Sequence, residues 1–202
     1  MPILGVNMGG LGFLTEVTVE QLYDSLEKIF SEAFLVEERL MLHARIERHG
    51  EHVAHSTVLN DVVVSKGTLA RMIEVQISIN GQFVTSLRGD GLIVSSPTGS
   101  TAYSMSSGGP IVEPSVRALL LTPICPHTLT HRPLLVESSA EVEVALVSQE
   151  DGAMVTFDGQ VGVALAHGDT VTVRASDHRT KLIRFPDKTY YEVLRKKLKW
   201  GG

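Results

Sequence analysis

The residues with the most chemical potential form one run, Arg88-Gly89-Asp90-Gly91-Leu92-Ile93-Val94-Ser95-Ser96-Pro97-Thr98-Gly99-Ser100-Thr101-Ala102-Tyr103. It reads as a charged turn, a buried strand, and a stretch of small residues that opens a helix. Glycine and alanine let another molecule approach the backbone closely, hydroxyls supply hydrogen-bond donors, and a helix N-terminus favours anions. The run therefore suits a polar ligand with anionic groups. It equally suits a ligand-free β-to-α turn, because Ser/Thr/Gly runs are common in loops. Asn60-Asp61 places an amide and a carboxylate just before the apolar Val62-Val63-Val64. Asn60 alone could equally cap a turn, Arg71 could be a solvated surface charge, and Cys125 reads as a small packed hydrophobe. His49, His52 and His55 bracket a turn, and His127 and His131 sit four apart. Neither set has the spacing of a structural metal motif, so no protein metal site is expected.

The elements that must position these residues are mostly strands. Leu40, Leu42, Ala44 and Ile46 alternate with polar partners, as do Ile73, Val75, Ile77 and Ile79, and Asn80-Gly81 is a strong hairpin signal. Further strands are expected at 62–64, 92–94, 119–122, 133–136, 142–147, 154–157, 171–173 and 182–185. Their spacing of about 10 residues predicts a sandwich or layered β domain. The beginning of the chain differs. Met1 to Asn7 reads as a short strand entering a turn with Gly9, Gly10 and Gly12, and the stripe Val19, Leu22, Leu26, Ile29, Phe30, Ala33 predicts a helix. Thr18 with Gln21 has the spacing of a capping box. Tyr190 to Trp200 reads as a short basic helix ending at Gly201.

The 202 residues are 43% hydrophobic and 20% charged, ordinary globular values that rule out wholesale disorder. A formal net charge of −5 gives no electrostatic footprint for nucleic acid or an anionic membrane. No apolar stretch approaches the roughly 18 residues of a membrane span, and no basic-then-apolar leader is visible. With one cysteine, the expectation is a cytoplasmic protein without disulfides.

The central run closely resembles the substrate-binding motif of NAD kinases. Gly5 to Leu14 resembles that family's glycine-rich strand and turn, and Asn60-Asp61 its Asn-acidic pair, usually Asn-Glu. Pro123-Ile124-Cys125-Pro126-His127-Thr128-Leu129 with Arg132-Pro133-Leu134 resembles its Pro-x-x-Pro-His-x-Leu segment. Phe157-Asp158-Gly159-Gln160 is similar to its Asp-Gly-Gln turn, and Leu194-Arg195 to Trp200 to its closing helix. The match runs through the whole chain in order. It implies a mainly β fold: a sandwich-like NAD-binding and oligomerisation domain at residues 37–183, and a remnant of an α/β domain at 1–36 completed by 184–202.

The resemblance also implies roles. Asn60 and Asp61 would contact the adenosine half of NAD, and Thr101, Ala102, Tyr103, Ser104, Met105 and Ser106 fall in the adenine and ribose pocket. Arg88 and Asp90 would hold the nicotinamide end, with Arg71, Cys125 and Gln160 at further NAD-facing positions. Some of these contacts would come from a neighbouring subunit of a homodimer or homotetramer. The family moves the γ-phosphoryl of ATP, accompanied by Mg²⁺ or another divalent cation, to NAD and so makes NADP. One departure stands out. The family's Gly-Gly-Asp-Gly-Thr motif, which binds the donor and holds the aspartate proposed as general base, has no counterpart upstream of Gly5, so no catalytic residue is assigned and weak or no turnover is expected. Two alternatives stay open: an inactive dinucleotide-binding or assembly module, and a lipid kinase relative, against which the absence of a membrane-directed patch argues.

Overall fold

A computed structural model describes residues 1–9, 12–15, 17–67, 71–149, 152–186 and 189–200. Gly10 of the glycine-rich turn and Gly201 of the tail lie outside the described residues. By internal contacts the chain divides into two compact units, Met1–Arg39 with Arg179–Gly202, and Leu40–His178.

The smaller unit starts with β1 (Val6–Asn7) and β2 (Val17–Thr18), a short parallel pair, followed by α1 (Leu22–Phe30). The helix is shorter than its apolar stripe. Gln21 occupies the cap position without a side-chain cap bond, and its Oε1 instead accepts the Thr18 N–H at 3.4 Å, so the expected capping box is only half formed. Two long strands reach into this unit, β3 (Leu35–Arg48) and, near the end of the chain, a strand over Thr170–Arg184. Here Ile3 bridges Leu182, and the buried Arg39 and the nearly buried Arg184 both bond Glu37 Oε2, at 3.0 and 3.1 Å.

The larger unit is a sandwich. After β3 come β4 (Glu51–Val58), β5 (Asp61–Lys66), β6 (Ile73–Ile79), β7 (Gln82–Gly89) and β8 (Gly91–Ser95). A 3₁₀ turn over Thr98–Thr101 leads to the one-turn α2 (Tyr103–Ser106). Then follow β9 (Ala118–Ile124), β10 (Leu134–Glu137), β11 (Val142–Leu146), β12 (Ala153–Phe157), β13 (Val161–Ala164), the long strand as β14, and α3 (Tyr190–Leu198) of the smaller unit. One six-stranded sheet runs β10-β9-β8-β5-β12-β13 and the other β4-β3-β14-β11-β6-β7. Every pairing in the first is antiparallel.

The period of two does its expected work. Leu42, Ala44 and Ile46 of β3 and Val75 of β6 face inward against Val62, Leu92 and Leu119 of the other sheet, in one continuous core. Each fully buried leucine there contributes about 1.5–3 kcal/mol. Asn80 and Gly81 take φ of 51° and 73°, the left-handed pair that closes the β6–β7 hairpin. Two strand expectations change. Residues 171–173 and 182–184 belong to a single strand, β14, whose exposed polar middle hides its continuity, Phe185 lies just past its end, and β13 has no counterpart among the expected strands. β8 is buried along its whole length: Leu92 and Val94 join the main core, while Ile93 packs with Val63 and Ile124 on the opposite face. The 3₁₀ turn and α2 contact β8. Among the described residues no helix is long and apolar enough to cross a membrane.

Candidate functional site

The corner between β4 and β5 is fixed from a distance. The turn joining β12 to β13 places Asp158 and Gly159 at φ of 49° and 64°, and the Gln160 N–H closes it on the Phe157 carbonyl at 3.0 Å. This aims the Asp158 carboxylate at three successive backbone N–H groups. Leu59 donates to Oδ2 at 2.9 Å, and Asn60 and Asp61 donate to Oδ1 at 2.8 and 3.0 Å. In return the Asp158 N–H bonds the Asp61 carbonyl at 3.0 Å. Consecutive amides converging on one anion form a backbone nest. Here the anion is built into the chain.

The Ser96–Gly99 turn closes on the same corner. The Ser96 N–H bonds the Asn60 carbonyl at 2.9 Å, and its hydroxyl donates to the Leu59 carbonyl at 2.5 Å. Gly99 is pressed against the Asn60 backbone so tightly that a Cβ would sit 2.1 Å from the Asn60 carbonyl oxygen. Only glycine allows that approach. Asn60 and the start of the Thr98–Tyr103 run are thereby brought together.

Asp61 is the electrostatic anomaly of this corner. It is 5% exposed, and among the described residues no donor reaches its carboxylate. Burial, and secondarily the charge of Asp158, push it up to about 6. Its register partner Ser95 has a fully buried hydroxyl with no hydrogen-bond partner among the described residues. Buried polar groups are normally satisfied, so the Ser95 hydroxyl and the Asp61 carboxylate opposite it are exceptions among the described residues.

The hydroxyl-rich segment has an inside and an outside. The Ser100 hydroxyl donates to the Pro97 carbonyl at 2.6 Å and accepts the Val112 N–H at 3.0 Å, which clasps the turn. Ser104 is fully buried and its hydroxyl pairs with Thr122 at 2.8 Å. Thr101, Ala102 and Met105 are half-buried, and Tyr103 and Ser106 are exposed. Five of the six expected pocket residues thus reach the surface, while Ser104 braces them from behind.

The remaining candidates lie elsewhere. β5 and β8 are antiparallel, with Asp61 opposite Ser95 at one end and Ser65 opposite Gly91 at the other, about 14 Å along the strands. Arg88, Asp90 and Cys125 gather at that second end. Asp90 pairs with Lys66 at 3.0 Å, the His127 N–H bonds the Arg88 carbonyl at 2.8 Å, and Gly89 fits against the Ile124 and Cys125 carbonyls. The packed-hydrophobe reading of Cys125 does not hold: the residue is exposed, at φ 44°. Gln160 is exposed on the Asp158 turn, and Arg71 is exposed just before β6. His52 and His55 face each other at 3.2 Å, and among the described residues no three His, Cys, Asp or Glu side chains converge as a metal site.

Asp158 and Lys66 lie outside the expected site residues, and Ser96 stands in the central run without a role of its own. Asp158 belongs to the Asp-Gly-Gln turn, the one sequence signal that could have drawn attention to it.

The larger unit is thus a β sandwich in which β8 feeds a glycine-tight, hydroxyl-lined turn beside a buried carboxylate. The family model described as the ATP-NAD kinase C-terminal domain matches residues 59–185. The NAD kinases of Geobacter metallireducens and Geobacter sulfurreducens are 51% and 53% identical over 201 residues, covering 100% of this chain and 71% of each relative. Yeast NADH kinase, solved in complex with NADH, superposes with a TM-score of 0.93 at 25% identity, over 100% of this chain and 61% of that one. An NAD kinase from Archaeoglobus fulgidus, solved with ATP, gives 0.78 at 29% identity, over 100% of this chain and 75% of that one. The chain belongs to the NAD kinase family.

Proposed function

We propose that this chain carries the acceptor side of an NAD kinase. The observation that carries the reading is the buried, unpartnered Asp61 carboxylate beside the turn seated on Asn60. An ionised carboxylate accepts hydrogen bonds only, which suits the two hydroxyls of a ribose diol. Asn60 adds an amide, Thr101, Ala102, Met105 and Ser106 line the adenosine pocket, and the exposed Tyr103 offers an aromatic face for the base. Ser104 holds this surface from behind. Gln160 lies on the Asp158 turn beside the adenosine corner, while Arg88 sits near the diphosphate and Asp90 accepts from the nicotinamide end, with Arg71 and Cys125 at its margins. Their distance from Asp61 along β5 and β8 supports a homodimer or homotetramer in which a neighbouring subunit contributes that second group.

In the reaction the adenosine 2′-oxygen bonds the γ-phosphorus of ATP, the bond from that phosphorus to the β–γ bridging oxygen breaks, and ADP leaves. The 2′-hydroxyl proton passes to a general base. Such catalysis is mainly positioning and charge neutralisation. None of the 202 residues forms a Gly-Gly-Asp-Gly-Thr motif, so the chain binds NAD better than it turns it over. The divalent cation comes with the nucleotide, since hydrated Mg²⁺ needs few protein ligands; among the described residues no three His, Cys, Asp or Glu side chains converge on one point. The setting is cytoplasmic.

Calorimetric titration of the 202-residue chain tests this. NAD and NADP should bind, ATP alone should bind far more weakly, and coupled-assay turnover should be near background. ATP binding without NAD or NADP binding would overturn the assignment.

A further inference from the structure

We propose that Asp158 is a positioning residue for the acceptor site: by filling the nest of the Leu59, Asn60 and Asp61 amides it fixes how Asn60 and Asp61 are presented to NAD. The inference rests on the reading of this corner as the adenosine site. A corner between two strands has no ladder partners for its amides, and buried N–H groups left unpaired are costly. Three of them, on successive residues, go to one carboxylate that lies 97 or more positions away in sequence. Only an anion with two oxygens satisfies all three at 2.8–3.0 Å. A neutral amide has one oxygen to offer, and its NH₂ group would face an N–H.

The arrangement does more than cap a loop. The same carboxylate sits close enough to Asp61 to add to the upward push on its titration, and it is the only charge that does so among the described residues. The Asp158 N–H to Asp61 carbonyl bond ties the two residues in both directions, so the Asp158 turn and the acceptor corner move as one piece. Gln160, expected near NAD, sits on that turn.

The test is NAD titration of the 202-residue chain from about pH 5 to pH 8, for wild type, Asp158→Asn and Asp158→Glu. For Asp158→Asn the dissociation constant at neutral pH should rise about tenfold or more. The pH at which affinity falls away should also move below that of wild type, because the neighbouring negative charge is gone. Asp158→Glu keeps the charge but displaces it by a methylene; it should lose affinity while keeping the wild-type midpoint, and it carries the test should Asp158→Asn not fold. Weakening without any midpoint difference between the two variants would reduce Asp158 to a brace and overturn the proposal. Wild-type NAD binding with variants of equal affinity and midpoint overturns this inference alone. A wild-type chain that takes no NAD overturns both this inference and the function it rests on.

Discussion

Gly99 lies directly on the backbone of Asn60, and a Cβ at this position would meet the Asn60 carbonyl oxygen at 2.1 Å and its carbonyl carbon at 2.5 Å. The neighbouring atoms are main chain held by Asp158 and Ser96, so they cannot swing aside. Gly99→Ala should therefore push the Thr98–Thr101 turn away from the Asn60–Asp61 corner. Overpacking of this kind costs about 1–3 kcal/mol. Urea denaturation should show that loss, and NAD affinity should fall with it. Unchanged stability would mean that Gly99 does not press on the Asn60 backbone.

Ser104 and Tyr103 are neighbours in α2 with opposite surroundings. Ser104→Ala would leave the buried Thr122 hydroxyl without its partner, a loss of about 1–3 kcal/mol in stability. Tyr103 is 46% exposed, so Tyr103→Ala should change stability by only about 0.5 kcal/mol. If its ring stacks on adenine, NAD affinity should drop by the roughly 1–3 kcal/mol typical of base–aromatic contacts. Denaturation and titration on both variants should give crossed results. A Ser104→Ala chain that loses NAD affinity at full stability would place its hydroxyl on the ligand side.

Much of this was legible in the residues because strands and hairpins are written locally. Alternation from Leu40 to Ile46 and from Ile73 to Ile79, and the left-handed turn at Asn80-Gly81, need no distant information. In the sequence β14 looks like two strands because its exposed centre, including Arg174, Asp177, His178 and Arg179, breaks the apolar pattern without breaking the backbone ladder. In α2 every candidate is small or hydroxylic apart from Tyr103 and Met105, so no amphipathic contrast says which serine faces inward. The bond network from Asp158 to Leu59, Asn60 and Asp61 is a tertiary relationship between two turns. The Asp-Gly-Gln motif shows that a turn exists, and only the fold shows where its carboxylate goes.

Asp90 should behave as a binding residue. It lies at the Gly91 end of β8, on the edge where Arg88 and Cys125 gather, and it already holds Lys66 at 3.0 Å. That pair is partly exposed, so Asp90→Asn should cost no more than about 1 kcal/mol in stability. Losing an ionised acceptor to a bound hydroxyl or amide should raise the NAD dissociation constant about ten- to hundredfold. Robust turnover by the wild-type chain, abolished in Asp90→Asn with NAD affinity intact, would instead make Asp90 the general base.

Asp61 should set stability and affinity against each other as pH changes. Burial first, and Asp158 second, raise it from 3.8 to about 6. The folded chain then holds this proton more tightly than the unfolded chain. The stability linked to the group is complete below about pH 4 and is lost as pH rises through about 6. Above that, the ionised buried carboxylate costs on the order of 2–3 kcal/mol. Asp61→Asn removes the cost, so the variant should match wild type near pH 4 and exceed its stability by up to that amount at pH 8. NAD binding should run the other way. The ionised form accepts the ribose hydroxyls, so wild-type affinity should rise from pH 5 to pH 7, while Asp61→Asn binds about tenfold or more weakly with a flat profile. Urea denaturation and NAD titration across the same pH series decide it. An Asp61→Asn chain less stable than wild type at pH 8 would show that the carboxylate has a partner in the folded protein, and the case for an acceptor awaiting its substrate would fall.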